Sequence, residues 1–372
     1  MRARRLAALA CLTAALALAA APASGARPDD RARVGVATYN VYLGADLNPL
    51  FGATTLPQLV ARAGGVYAAM EATDFPERAE AIADAIVAEQ PDVVGLQEVA
   101  HWATAPGTLL APTAPFTTTY DFLDLLLDEL AERGVPYREV ATNANFTGTL
   151  PISLGAGGTA TWASFTDRDV VVVRDDVPAR HLAVDEASVQ EETFAAVLTI
   201  PSGVPGLPPF AVPRGWSFVD VTAKGFTFRF VNTHLEAFSE AARNAQAGEL
   251  AAEVAASPHP VVLVGDINSR PPGCSTNTVA FQTLLDTGLV EVWPLAHPKD
   301  PCGGFTSGQD ADLLNEASTL DHRIDTVFVD PDALTALGAE VIGDEQADRS
   351  QPTGLWPSDH AGSVATLRTV RP

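Results

Sequence analysis

Apolar stretches in this chain are short, and several of them end on polar residues of chemical interest. Residues 34–37 run into Asn40, 93–96 into Gln97-Glu98, 228–231 into Asn232-Thr233-His234, and 261–264 into Gly265-Asp266-Ile267-Asn268. Short apolar runs bounded by turn residues predict buried strands over 34–41, 92–97, 169–173, 193–200 and 260–265. Residues 216–221 and 226–233 alternate around Ala223-Lys224-Gly225 and predict a hairpin. Strands at 326–329 and 362–367 close the set. Helical spacing marks 77–89, where Ala79, Ile82, Ile86 and Val87 share a face and Pro91 follows the last turn. It also marks 121–133, stopped by Gly134, then 238–256 and 277–286. Pro- and Gly-rich stretches at 103–119, 148–158, 201–215 and 294–308 read as long loops. No linker, repeat or low-complexity tract divides the chain. The expectation is one domain over 27–372 of the α/β (α+β) class, built as two packed sheets with helices outside or as one mixed sheet.

Buried strands with polar exits place that polarity on the rim of a sheet, where several groups can converge. Carboxylates, amides and imidazoles together suit a hard divalent cation and a phosphate. Asn40 and Glu98 would bring an amide oxygen and a carboxylate to one cation, although a turn residue and a solvated strand end would explain each alone. Asp266 and Asn268 project to the same side of their strand exit. The aspartate can orient or deprotonate a water and the asparagine can donate to a phosphate oxygen; an Asx turn before Pro271-Pro272 is the structural alternative. His234 and His360, with Asp325 and Asp359 in the same set of segments, offer a histidine–carboxylate pair. Arg214 could grip a phosphate with both arms of its guanidinium or close a loop salt bridge. Asp169 could hold His234 from behind. Arg78, His101, His181, His259, His297 and His322 read as surface residues, and Asn145-Phe146-Thr147 is a glycosylation sequon of a kind that chance often supplies. G-x-S-x-G, H-E-x-x-H, P-loop and paired C-x-x-C motifs are missing, which removes serine hydrolases, zincins and P-loop enzymes from consideration.

The chain opens with Arg2, Arg4 and Arg5, an apolar run to about Ala21, and small residues at Ala23, Ser24 and Ala26. This pattern predicts a secretory signal peptide over 1–26, with the twin-arginine route permitted by Arg4-Arg5. The run is short for a membrane span, which takes about 20 residues. Losing that segment lowers the basic count from 23 to 20 against 46 acids. Such a surface disfavours a long duplex nucleic acid, while bound cations would still allow a nuclease. Cys274 and Cys302 remain, a pair compatible with one disulfide in an oxidising compartment.

Taken in order, Asn40, Glu98, His234, Asp266 with Asn268, Asp325 and Ser358-Asp359-His360 resemble the endonuclease/exonuclease/phosphatase superfamily, the DNase I-like fold. The resemblance runs from Val34 to about Leu367. It implies a four-layer sandwich with two central mixed β-sheets flanked by helices. It implies that Glu98, Asn40 and Asp359 bind Mg²⁺, with Mn²⁺ as the alternative. Asp266 would align the attacking water, Asn268 and His234 would hold the phosphate, and His360 paired with Asp325 would stabilise the transition state. Asp169 stands where many members have asparagine. Residues 45–76 look like a long insertion, and 101–119 and 143–165 like further loops beside the cleft. The implied protein is a secreted, monomeric, metal-dependent phosphoester hydrolase, foremost a phosphodiesterase. Nuclease, lipid or small-molecule phosphatase and sphingomyelinase-like activities are the alternatives, with nucleic acid or a lipid-derived phosphoester as substrate. A non-catalytic binding protein on the same fold is the rival from another class.

Overall fold

The computed structural model describes residues 32–370; the predicted signal at 1–26, with Cys11, lies outside them. Strand β1 (Arg33–Asn40) is followed by helices α1 (Asn48–Phe51), α2 (Leu56–Ala72) and α3 (Phe75–Glu89), then strand β2 (Val93–Gln97). Next come β3 (His101–Thr108), β4 (Thr117–Asp121), α4 (Phe122–Glu132) and the long hairpin β5 (Tyr137–Leu154) and β6 (Thr159–Arg174). Strand β7 (Leu182–Thr193) precedes a short pair, β8 (Leu198–Ile200) and β9 (Phe210–Val212), and the hairpin β10 (Gly215–Ala223) and β11 (Phe226–His234). The chain continues through α5 (Glu240–Ala255), β12 (Val261–Asp266), α6 (Val279–Leu285), β13 (Val290–Glu291) and α7 (Val292–Ala296). Strands β14 (Asp325–Val329), β15 (Leu334–Ile342) and β16 (Gly362–Thr369) complete it.

One sheet runs β15-β16-β1-β2-β6-β3-β4 with β5 on the free edge of β6, and the other runs β13-β14-β12-β11-β10-β7. The pairs β1–β2 and β11–β12 are parallel and the remaining pairs antiparallel, so both sheets are mixed. Strand alternation sorts the apolar residues into layers. In β1, Val34 and Val36 face the second sheet while Ala37 and Tyr39 face α2 and α3. In β12, Val262 and Val264 face inward while Leu263 packs under α5 and α6. Each such side chain contributes about 1.5–3 kcal/mol on burial, which makes this four-layer α/β/β/α arrangement the stable one. Gly95 marks where the sheets come closest, because a Cβ there would sit 2.4 Å from Asn232 Oδ1 and 2.6 Å from Val264 Cγ2.

Several loop expectations are corrected. Residues 45–76 are mostly helix, with α2 burying Leu59, Ala63, Val66 and Met70. Residues 101–119 and 143–165 are mostly strand, since β3, β5 and β6 pair over long registers. Their sequences read as loops because both faces are partly exposed and the apolar alternation is weak. The expected strand over 193–200 is broken, with Thr193 ending β7 and Leu198 starting the separate β8–β9 pair. Arg78 is a core residue and not a surface one: its guanidinium donates to the carbonyls of Thr73, Val41, Pro357 and Tyr42. Those bonds satisfy a charge that is fully buried. Cys274 and Cys302 form the expected disulfide.

Candidate active site

The inward register that is apolar along most of each strand turns polar at one end. Two residues beyond Val36, Val93, Phe230, Val264 and Val171 along the inward parity lie Thr38, Gly95, Asn232, Asp266 and Asp169, and the next inward steps of β1, β2, β11 and β6 give Asn40, Gln97, His234 and Asp167. Strand β14 runs antiparallel to β12 and pairs Asp325 with Asp266. The polar ends of both sheets therefore meet between the layers. Gln97 Nε2 donates to Asn232 Oδ1 at 2.7 Å, tying the sheets together where the polar zone begins.

Asp266 is the hub. Asn40 Nδ2 donates to its Oδ2 at 3.2 Å, the Asn268 backbone N–H donates to its Oδ1 at 2.9 Å, and His234 Nε2 lies 3.4 Å from Oδ2. The preceding Gly265 has φ 150°, and a Cβ there would sit 2.1 Å from the Thr233 carbonyl oxygen, so this exit requires glycine. Burial first, and the Asp325 carboxylate second, push the Asp266 carboxyl up to about 7, against the pull of His360. A base of that strength is matched to neutral pH.

His360 Nδ1 lies 2.8 Å from Asp325 Oδ2, and its Nε2 is 3.4 Å from Ser307 Oγ. Burial disfavours a charged ring, but Asp325, Asp359 and Asp266 outweigh it and hold the pKa well above its ordinary value. This environment favours the imidazolium form of His360. Ser358 Oγ accepts from the His360 backbone N–H at 3.1 Å and donates to the Asn40 carbonyl at 2.7 Å, which locks the two strand exits together. His234 is the opposite case. Burial, Arg214 and His360 all depress its pKa well below the ordinary value. Arg214 Nη1 donates to His234 Nδ1 at 3.0 Å, which leaves the proton on Nε2, facing Asp266.

Arg214 also pairs with Asp167 at 2.9 Å. Asp169 Oδ1 is 3.8 Å from His234 Nδ1, too far for a hydrogen bond, and the group that fixes the ring is Arg214. Asp169 instead accepts from Asn145 Nδ2 at 2.7 Å. Asn145 is buried, so the sequon is a structural asparagine. Burial raises Asp167 to about 6 with Arg214 opposing, and burial and Asp167 raise Asp169 well above the usual carboxylate range. Asp167 was not singled out from sequence, although it shares the inward parity of Asp169 and Val171, and Asn145 was read only as part of a sequon.

Above these residues opens a cleft of ≈ 270 Å³ whose wall includes Glu98, Asp167, Arg214 and Asp359. Glu98 stands at φ 58°, in the left-handed region where a side chain is strained, and its Oε2 accepts from the Leu43 N–H at 2.9 Å. Asn40 Oδ1 accepts from the Tyr42 N–H at 3.0 Å. Burial pushes Asp359 up to about 7, with His360 opposing and Glu98 adding to the rise. Asn268, at φ 49°, donates its side-chain amide to the Leu235 carbonyl at 2.9 Å.

The donor set fits a hard cation. It is made of oxygens that repel one another when ionised, and Asp167, Asp169 and Asp325 each keep one buried carboxylate oxygen without a hydrogen-bond partner. Asp266, Asp325 and His360 also bring potential ligand atoms within 4.8 Å of one another, a cluster that could hold a metal only with His360 deprotonated. Among the described residues no helix is long and apolar enough to cross a membrane.

The fold is shared with solved structures. An endonuclease/exonuclease/phosphatase family protein from Bacteroides thetaiotaomicron aligns at a TM-score of 0.53 and 17% identity, covering 91% of this chain and 98% of that one. One from Bacteroides vulgatus gives 0.51 and 17%, with 91% and 99% covered. A mannosyl-6-phosphatase from Bacteroides thetaiotaomicron gives 0.50 and 17%, with 90% and 99% covered. No match is found among curated proteins. The sequence of residues 37–360 matches the Endonuclease/Exonuclease/phosphatase family, a span that contains every strand exit described above. The chain belongs to that family of phosphoester hydrolases.

Proposed function

We propose that the protein is a secreted, Mg²⁺-dependent phosphodiesterase that directs a water molecule in line at phosphorus. The observation that carries this reading is the geometry of one strand-end cluster, where the Asp266 carboxyl faces the His360 ring and Asp325 backs that ring at 2.8 Å. Asp266 has a pKa of about 7, and His360, whose cationic form is favoured, lies 3.9 Å from it. Asp266 takes the proton of the attacking water, steadied by Asn40 and by the Nε2–H of neutral His234. His360, oriented by Asp325, stabilises charge on the phosphoryl oxygens or protonates the leaving oxygen. Arg214, already in the cleft wall, adds a fixed positive charge beside the phosphate. Glu98, Asn40 and Asp359 would hold Mg²⁺, which when bound supplies Lewis-acid polarisation of a phosphoryl oxygen and offsets the carboxylate charge. Mn²⁺ offers the same oxygen-ligand chemistry.

Export is supported by the apolar N-terminal run after Arg4-Arg5 and by the Cys274–Cys302 disulfide. The acidic chain, at a formal net charge of −23, favours short, single-stranded or small phosphoesters over duplex DNA. The test is product release by the protein lacking residues 1–26 from plasmid DNA, single-stranded RNA, sphingomyelin, an inositol phosphate and a simple diester. Each is assayed with Mg²⁺, Mn²⁺ and EDTA. Metal-dependent cleavage of a diester supports the proposal. Cleavage confined to monoesters would replace phosphodiesterase with phosphatase.

A further inference from the structure

Beside the catalytic cleft lies a second cavity, ≈ 410 Å³ in volume and within the size range of small-molecule sites. Its wall is built by helix α2, the β5–β6 hairpin and the segment 201–212. Leu50, Val66, Leu150, Ile152, Leu207 and Phe210 are among its lining residues, none of which is charged. That is unusual in an acidic protein. It is also not an isolated packing gap, because Leu47, Phe146 and Phe165 line both this cavity and the cleft that holds Glu98, Arg214 and Asp359.

An aromatic chain continues the apolar wall from the cleft mouth. Phe238, 54% exposed, lines the cleft and lies 6.3 Å from Phe51, which meets Phe210 of the cavity edge-on at 5.6 Å. At Gly64 a Cβ would sit 2.4 Å from the Ile152 carbonyl oxygen, so α2 rests on the hairpin through bare backbone. Gly148 places no side chain in the space beyond Phe146. A largely apolar wall of this kind gains free energy when an apolar guest displaces the water against it.

We propose that this cavity is a subsite for an alkyl or acyl chain carried by the phosphoester, with the phosphate in the cleft and the chain passing Phe146 and Phe165. The proposal rests on the cleft being the phosphoester site. It names the substrate class as an amphiphile with one charged and one apolar end. A nucleic acid would leave the cavity unused.

The test is calorimetric binding, with Mg²⁺ present, of straight-chain alkylphosphonates from methyl to octyl, whose P–C bond resists hydrolysis. Affinity is expected to rise about fourfold for each methylene that enters the cavity, the equivalent of ~0.8 kcal/mol. Ala63→Leu fills the space and Leu207→Gln makes its rim polar. Each should flatten the series and weaken the octyl compound at least tenfold relative to the methyl one. Leu207 is 40% exposed, so its variant is expected to fold even where Ala63→Leu does not, and thermal melts check both. A flat series in the wild-type protein, or an unchanged slope in a folded variant, overturns the subsite. Turnover of methyl p-nitrophenyl phosphate with Mg²⁺ is measured alongside. Its absence would count against the hydrolase reading, whereas turnover with a flat series counts against the subsite alone.

Discussion

Replacing Asp325 with asparagine removes one charge while keeping the shape of the site. Asp325 Oδ2 sits 2.8 Å from His360 Nδ1, and both residues are buried. A hydrogen bond to a charged group contributes about 1.5–3 kcal/mol, and one pKa unit corresponds to about 1.4 kcal/mol. The pKa of His360 should therefore fall when this bond loses its charge. Asp359 and Asp266 remain nearby, so the fall stops short of the full effect of burial. Asp325 also raises Asp266, so its removal lets the Asp266 carboxyl drop below about 7. On the proposed mechanism activity needs Asp266 ionised and His360 protonated, so the two limbs of the pH–rate profile respond separately. The acid limb moves to lower pH because the base ionises earlier. The basic limb also moves to lower pH because the acid deprotonates earlier. The Asp325→Asn profile of kcat/KM on a p-nitrophenyl diester should be a bell displaced towards acid, with the rate at pH 8 lower by about 10–10²-fold. An undisplaced bell of unchanged height, or one displaced towards alkali, would refute the assigned roles.

Other consequences follow from the same geometry. Glu98→Ala should raise the Mg²⁺ concentration for half-maximal activity at least tenfold, with partial recovery at high Mg²⁺; a metal titration superimposable on wild type would remove Glu98 from the cation site. Arg78→Met leaves the carbonyls of Val41, Tyr42, Thr73 and Pro357 without their donor, at about 1–3 kcal/mol for each one not resolvated. Urea unfolding should show a loss of several kcal/mol, and an unchanged midpoint would contradict the core role. Asp167, Asp266 and Asp359 have folded-state pKa values raised to about 6 or 7, so their contribution to stability is present below the ordinary carboxylate range. It is lost as pH rises through the raised values. In EDTA the melting temperature should therefore fall between about pH 4 and pH 7 through these groups, and Mg²⁺ should restore it most at pH 7–8. A melting temperature in EDTA that climbs across that window would mean burial does not disfavour the charged form of these carboxyls.

Much of the site could be read from the chain because strand parity is a local property. Once Val262 and Val264 face inward, Asp266 must as well, and the same count places Asn40, His234 and Asp325. The hairpin at Lys224 was equally local, whereas the disulfide was legible because Cys274 and Cys302 are the only cysteines beyond the predicted signal. The β5–β6 ribbon was not, because threonines and glycines on two half-exposed faces hide the alternation that burial would impose. Arg78 was misread because a charge in a helix ordinarily points to water. Its position one turn before Ile82 and two before Ile86 put it on the buried stripe, and its acceptors come from loops remote in sequence. Arg214 shows the same limit. Sequence offers it a phosphate or a salt bridge, whereas only the packed structure shows it donating to both Asp167 and His234.

The central claim is that Asp266 activates water for a metal-dependent attack at phosphorus. The most direct measurement is turnover of bis-(p-nitrophenyl) phosphate by the wild-type protein and by Asp266→Asn, each with Mg²⁺ and with EDTA, with folding of the variant checked by its melting curve. The account predicts Mg²⁺-dependent turnover in the wild type and a loss of about 10²-fold or more in the folded variant. Turnover that EDTA leaves intact, or a folded Asp266→Asn protein with the wild-type rate, would contradict it.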